Sequence, residues 1–215
     1  MAAASQRAAL LDCIGDDSDG DAAIPAWLER HSDVAGLAQV HDFLSEEQQT
    51  ALLASLRECG WLSQTRNQRM LFGLDDAPVF LQRLSAAVTA TLRAHAVVRP
   101  ELLAPFNQAI VNCYAAGEGI CAHVDLAAFG DGIAVVSLMS SVVMTFTHES
   151  AASCRVLLRP GSLLSLDGPA RYEWTHGIAT QPTDEWQGAA IVRGPRVSIT
   201  LRRMATDVTE LSHAA

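Results

Sequence analysis

After Pro105 the chain becomes a succession of short apolar segments, and this pattern restricts the fold more than any other feature. The segments are NQAIVNCY, IAVVSLM, VVMTFTH, RVLLRP, SLLSLDG, YEWTHGIA, GAAIV and RVSITLR, punctuated by Gly, Pro and Asp. Runs of this length, separated by turn residues, form the antiparallel strands of a sandwich or barrel. The last run is the most informative. Arg196, Ser198, Thr200 and Arg202 alternate in it with Val197, Ile199 and Leu201. Successive strand residues face opposite sides, so this strand has one apolar face and one wholly polar face. The two arginines that end the polar face lie roughly 20 Å apart at ~3.3 Å per residue. Such a face either meets water at a sheet edge or lines a cavity.

Ahead of the strands the periodicity is helical. LAQVHDFLS reads as a strand running into a helix cap, with Ser45 and Gln48 spaced as a capping box and Gly60 as the stop after ALLASLREC. A second helix is expected from about Pro78 to His95, with Leu81, Leu84, Val88 and Leu92 on one face. Residues 1–33, which contain DDSDGD, read as an acidic arm. Residues 34–205 read as one folded domain and 206–215 as a tail. The expected class is mainly β with flanking α.

Within the β half, His123 and Asp125 stand on alternate positions of ICAHVDLAAFGDG and can aim an imidazole and a carboxylate to one side. A polar strand face would have the same spacing. With a second His, the pair makes the two-His, one-carboxylate arrangement that holds non-haem iron(II). His148 and His176 are the downstream candidates, and His176, in an aromatic segment closed by Gly, is the better of the two. An arginine in a cavity matches a carboxylate with two parallel hydrogen bonds, so one of Arg196 and Arg202 suits a dicarboxylate ligand, and the other either its metal-side end or the aim of Asp125.

Composition removes several alternatives. There is no lysine, so neither a lysine-bearing phosphate loop nor Schiff-base chemistry is available. The five cysteines contain no CxxC pair, which argues against a cysteine zinc site and a disulfide framework. The net charge of −9 makes no general trap for polyphosphate, although a local arginine groove stays open. No apolar run approaches a membrane span, and the start resembles neither a secretory signal nor a mitochondrial presequence. A cytoplasmic or nuclear protein is expected.

Taken in order, N-x-Y (Asn112, Tyr114), H-x-D (His123, Asp125), His176 and R-x5-R (Arg196, Arg202) resemble the AlkB family of iron(II)- and 2-oxoglutarate-dependent dioxygenases. NCYAAGEGICAHVD, FGDGIAVVSLMSSVVMTF and ARYEWTHGI are similar to its eukaryotic AlkB-homologue branch, and the likeness runs over about residues 34–205. The resemblance implies a double-stranded β-helix, or jelly roll, with N-terminal helices and a substrate lid. It implies Fe(II) on His123, Asp125 and His176. 2-Oxoglutarate would be held by Arg196 with Asn112 and Tyr114, with Ser198 on the same face and Arg202 near the metal-side carboxylate. With O2 as co-substrate, a substrate C–H bond would become an alcohol, or an N-methyl group would leave as formaldehyde.

The substrate is less constrained. Methylated DNA or RNA is the leading partner, a protein side chain is a second, and a binding module without catalysis is a third. The acidic residue that follows the HxD aspartate by two in bacterial AlkB-type repair enzymes is Ala127 here, which puts that base contact in doubt. The expected lid is TRNQRMLFG, residues 65–73, with Arg66 and Arg69 toward phosphates and Trp61, Met70 and Phe72 flanking a base. Arg171 and Tyr172 are candidates for the cavity mouth. The methyltransferase and RNA-binding domains of the tRNA hydroxylase in that branch are not expected in this chain.

Overall fold

Seven strands of one sheet and four of another enclose the site, in a computed structural model that describes residues 28–62, 68–94, 97 and 105–205. Its elements in chain order are β1 (Leu28–Arg30), β2 (Leu37–Val40), α1 (Glu46–Glu58), β3 (Gln68–Phe72), a 3-10 turn (Leu74–Asp76) and α2 (Val79–Ala94). There follow β4 (Gln108–Tyr114), β5 (Ile120–His123), β6 (Ile133–Leu138), β7 (Val142–His148), β8 (Ala151–Leu158), β9 (Leu163–Leu166) and α3 (Gly168–Tyr172). β10 (Thr175–Ile178), β11 (Thr183–Trp186), β12 (Ala189–Val192) and β13 (Arg196–Arg202) complete the chain. The larger sheet has the order β1-β2-β9-β6-β13-β4-β3 and the smaller β5-β10-β7-β8. β11 and β12 form a separate hairpin.

Parity along the strands decides what each face meets. Val197, Ile199 and Leu201 of β13, with Ala134, Val136 and Leu138 of β6, pack under Leu52, Leu56, Leu81, Leu84 and Val88 of the two helices. A second core lies between the sheets, built from Leu37, Val142, Phe146, Val156, Leu158, Leu164, Leu166 and Ile178. The helices thus brace the larger sheet from outside and leave its inner face to the cavity. The capping box forms: Gln48 N–H donates to Ser45 Oγ at 3.2 Å and Ser45 N–H to Gln48 Oε1 at 2.9 Å. Gly60 closes α1 with φ +68°.

Two details differ from expectation. The first strand, Leu28–Arg30, pairs with Val40, Gln39 and Ala38, so the sheet reaches upstream of Val34 into the stretch read as arm. Residues 68–72 of the expected lid form a strand: β3 pairs along β4 from Gln68–Asn112 to Phe72–Gln108. Among the described residues no helix is long and apolar enough to cross a membrane.

Candidate active site

β5 ends at His123, and β10 runs antiparallel beside it with His176 directly opposite. Their ring centroids lie 4.6 Å apart. Asp125 follows β5 by two residues and projects its carboxylate between them. His123 Nε2 is 4.0 Å from Asp125 Oδ1, and His176 Nε2 is 4.0 Å from Oδ2. His123 Nδ1 lies 2.8 Å from the carbonyl oxygen of Cys121. A carbonyl can only accept, so Nδ1 donates to it and Nε2 is the ring nitrogen that faces Asp125. Burial pulls His176 down to about 4, against the opposing pull of Asp125, so its ring is neutral at neutral pH.

Two imidazole nitrogens and a carboxylate fit the donor set of a non-haem iron(II) centre. Octahedral ligands at about 2.1 Å stand about 3 Å apart, so gaps of 4.0 Å leave the donors about 1 Å wider than bound geometry. Among the described residues no three donors are closed to coordination spacing. His123, with 36% of its side chain exposed, has room for the adjustment. His148 does not compete. It sits at the end of β7, bonded through Nδ1 to the turn at Ser150, with its ring 5.3 Å from Trp174.

Arg202 and Arg196 stand at the two ends of the inward face of β13. Arg202 Nη2 donates to Asp125 Oδ1 at 2.6 Å, and its guanidinium lies 4.6 Å from the centre of the Phe129 ring. At the far end Arg196 is 5% exposed, donates through Nη2 to Ser137 Oγ at 2.9 Å, and lies over the Tyr114 ring at 5.3 Å. Among the described residues no carboxylate pairs with it, and its Nε is buried without a partner. Burial pulls its proton affinity down, yet a guanidinium stays charged. A buried cation without a counter-ion is costly and makes a receptor for an anion. Ser198 and Asn112 face each other across β13 and β4 between these ends. His123, Asp125, His176, Asn112, Tyr114, Arg196, Ser198 and Arg202 line one cavity, whose atom-free space is about 490 Å³ with its open mouth. The polar face of β13 is therefore a cavity wall on a central strand, not an edge in water.

The expected substrate residues divide. Met70 and Phe72 lie opposite Ile110 and Gln108, on the inward face of β3, and are 44% and 60% exposed. Arg69 is on the other face, its guanidinium 5.9 Å from the Trp61 ring, and Trp61 packs on the helical core. Strand parity takes Arg69 away from the cavity, and packing on the helical core does the same for Trp61. Arg66 lies outside the described residues. Arg171 is 1% exposed and lines no mouth: its two terminal nitrogens donate to three backbone carbonyls, with Tyr172 stacked on it at 4.7 Å.

Sequence reasoning passed over three contributors. Gln68 donates to Asn112 Oδ1 at 2.9 Å and so ties β3 to the site. Ser137 accepts from Arg196, and Phe129 supports Arg202. Ser137 shares its strand face with Ile133 and Val135 and alternates with Val136 and Leu138, a spacing that marks its inward aim. Nothing local marks Gln68, whose role comes from the register of β3 on β4.

A profile of the 2OG-Fe(II) oxygenase superfamily matches residues 55–202. The chain is 33% identical over 193 residues to a tRNA (carboxymethyluridine(34)-5-O)-methyltransferase of Xenopus tropicalis, covering 80% of this chain and only 30% of that protein. It is 31% identical over 199 residues to the mitochondrial alpha-ketoglutarate-dependent dioxygenase alkB homolog 7 of Mus musculus, covering 83% of this chain and 86% of that one. Its fold matches a Pseudomonas putida prolyl-4-hydroxylase with a TM-score of 0.56 at 16% identity, over 79% of this chain and 93% of that structure.

Proposed function

The chain belongs to the 2OG-Fe(II) oxygenase superfamily, among its AlkB-like dioxygenases, and on that premise we propose that it oxidises an alkylated nucleobase of DNA or RNA. The observation that carries this reading is one cavity with two unlike ends. One end has two imidazoles and a carboxylate, the other a buried guanidinium with no carboxylate partner among the described residues. A dicarboxylate that chelates a metal fits between them.

His123, Asp125 and His176 would hold Fe(II), and Arg196 would take the distal carboxylate of 2-oxoglutarate. When bound, iron with 2-oxoglutarate and O2 supplies the oxidising power, one oxygen atom leaving in succinate and the other inserted into a substrate C–H bond, with CO2 released. The chain's own residues do the rest. Arg196, held by Ser137 and Tyr114, offers its remaining donors to the carboxylate. Arg202 fixes the aim of Asp125 through Oδ1. Leu164, Leu166, Met144 and Ile178 keep the cavity walls apolar, which strengthens each of these charge contacts.

Met70 and Phe72, on the inward face of β3, and Leu126, next to Asp125, are exposed and would form an apolar rim suited to the face of an unstacked base. The tRNA in the name of the Xenopus relative supports a nucleic-acid substrate. A protein side chain is the second reading, favoured by the turning away of Arg69 from the rim and by the net charge of −9.

The test is succinate formation from 2-oxoglutarate by the iron-loaded protein, with and without methylated oligonucleotides, using His176→Ala as control. Turnover stimulated by one methylated strand and absent in the variant supports the proposal. Turnover that no oligonucleotide stimulates moves the substrate to protein, and no turnover despite bound iron removes the enzyme reading.

A further inference from the structure

Arg171 heads the largest fully buried side chains of the described residues and forms no salt bridge among them. Its guanidinium donates through Nη1 to the carbonyl oxygen of Asp125 at 3.0 Å, and through Nη2 to those of Leu126 at 2.8 Å and Phe129 at 2.9 Å. All three acceptors lie in the loop that leaves β5 with Asp125. The same loop is latched at its other end to the start of α3: Asp131 Oδ1 accepts from the N–H groups of Gly168 and Gly132, each at 2.9 Å. α3 is in turn fixed to the sheet side of the molecule by the N–H of Ala170, which donates to Ala35 at 3.0 Å. The loop is therefore gripped from both ends by one short helix.

Burying a guanidinium against neutral carbonyls is costly, and burial does draw its proton affinity down. A fold in need of stability alone is served as well by apolar packing. What the arginine adds is a planar fork that fixes several carbonyls at once. One of these belongs to Asp125, whose carboxylate Arg202 grips at the other end of the residue.

We infer that Arg171 is a positioning residue for the metal centre, holding the main chain of Asp125 so that its carboxylate stays between His123 and His176. It also holds the main chain of Leu126, whose side chain is 70% exposed next to Asp125. The inference rests on the reading of His123, Asp125 and His176 as metal ligands. Partners one step removed from a metal typically change its affinity by about 10- to 100-fold.

The experiment is Co(II) titration of the full chain followed by visible absorption, with thermal unfolding measured in parallel. Arg171→Lys keeps the charge and loses the fork, and Asp131→Ala frees the far end of the loop. Arg193→Lys, in a buried ion pair outside the cavity, controls for lost stability alone. Arg171→Lys should bind Co(II) about ten-fold more weakly or worse, and Asp131→Ala should shift the same way by less. Arg193→Lys should lower the melting temperature and leave Co(II) affinity unchanged. Wild-type affinity in folded Arg171→Lys overturns the inference. Should that variant not fold, wild-type affinity in Asp131→Ala overturns it instead. Failure of the wild type to bind Co(II) is a different result: it removes the metal reading itself, and the inference with it.

Discussion

His123 and His176 are a directly opposed cross-strand pair, each with Nε2 4.0 Å from the carboxylate of Asp125. The site thus depends on how closely β5 and β10 approach, and Gly177 permits that approach. A Cβ at Gly177 would lie 2.8 Å from both the N and Cα of Ala122, backbone atoms that cannot swing aside. Gly177→Ala should cost about 1–3 kcal/mol of stability and weaken metal binding by pushing the two imidazoles apart. Thermal unfolding and Co(II) titration of the same sample check both.

Arg196 should govern 2-oxoglutarate binding and little else. Arg196→Met removes one partner of a buried charge pair, a loss of about 2–5 kcal/mol, or a rise of roughly 30-fold or more in the dissociation constant. Arg196→Lys keeps the charge without the fork and should fall between. Calorimetry of 2-oxoglutarate binding to the Zn(II)-loaded protein measures this, with metal affinity unchanged in both variants.

The two faces of β3 make opposite predictions. Phe72→Ser and Met70→Ser should weaken binding of a methylated oligonucleotide by about 1–3 kcal/mol each, the usual worth of a base–side-chain stack, and leave 2-oxoglutarate binding unaltered. Arg69→Ala, which removes a side chain lying against Trp61, should leave oligonucleotide affinity close to wild type. Fluorescence anisotropy at low salt compares the three.

Acid stability should report on the β11–β12 hairpin. Asp184 is 2% exposed, accepts from Arg193 Nε at 2.6 Å and from Val143 N–H at 2.9 Å, and packs the hairpin against β7. Burial alone would raise its carboxyl, but the bonds from Arg193, Val143 and Gln181 outweigh it and hold the group below the usual carboxylate range. A depressed folded value stabilises above the unfolded pKa of about 3.9, and that contribution fades as pH falls from there through the folded value. Asp184→Asn should therefore be clearly less stable than wild type near neutrality, by about 3–5 kcal/mol for a broken buried pair. The difference should shrink below about pH 4.

Much of this arrangement was legible in the sequence, because period-2 alternation and capping chemistry are local. RVSITLR declared its two faces, and Ser45 with Gln48 declared the start of α1. The alternation of Asn112 and Tyr114 with Cys113 likewise turned the thiol outward, where its Sγ lies 3.5 Å from the Trp61 carbonyl. What escaped was set by long-range pairing. QRMLF has no clean alternation, since β3 is an edge strand exposed at four of its five positions, so Arg69 could not be assigned a face. Arg171 lies in a helix of five residues, too short for periodicity to separate rim from interior, and its partners are 42 to 46 positions away in the chain.

The most direct test of the account is metal-dependent capture of 2-oxoglutarate, measured by calorimetry in the wild type and in His176→Ala, with and without Mn(II). The account predicts that the wild type binds a single metal ion per chain, that 2-oxoglutarate binds tightly only after it, and that His176→Ala loses both. Tight 2-oxoglutarate binding that ignores the metal, or metal binding that survives in His176→Ala, would contradict it.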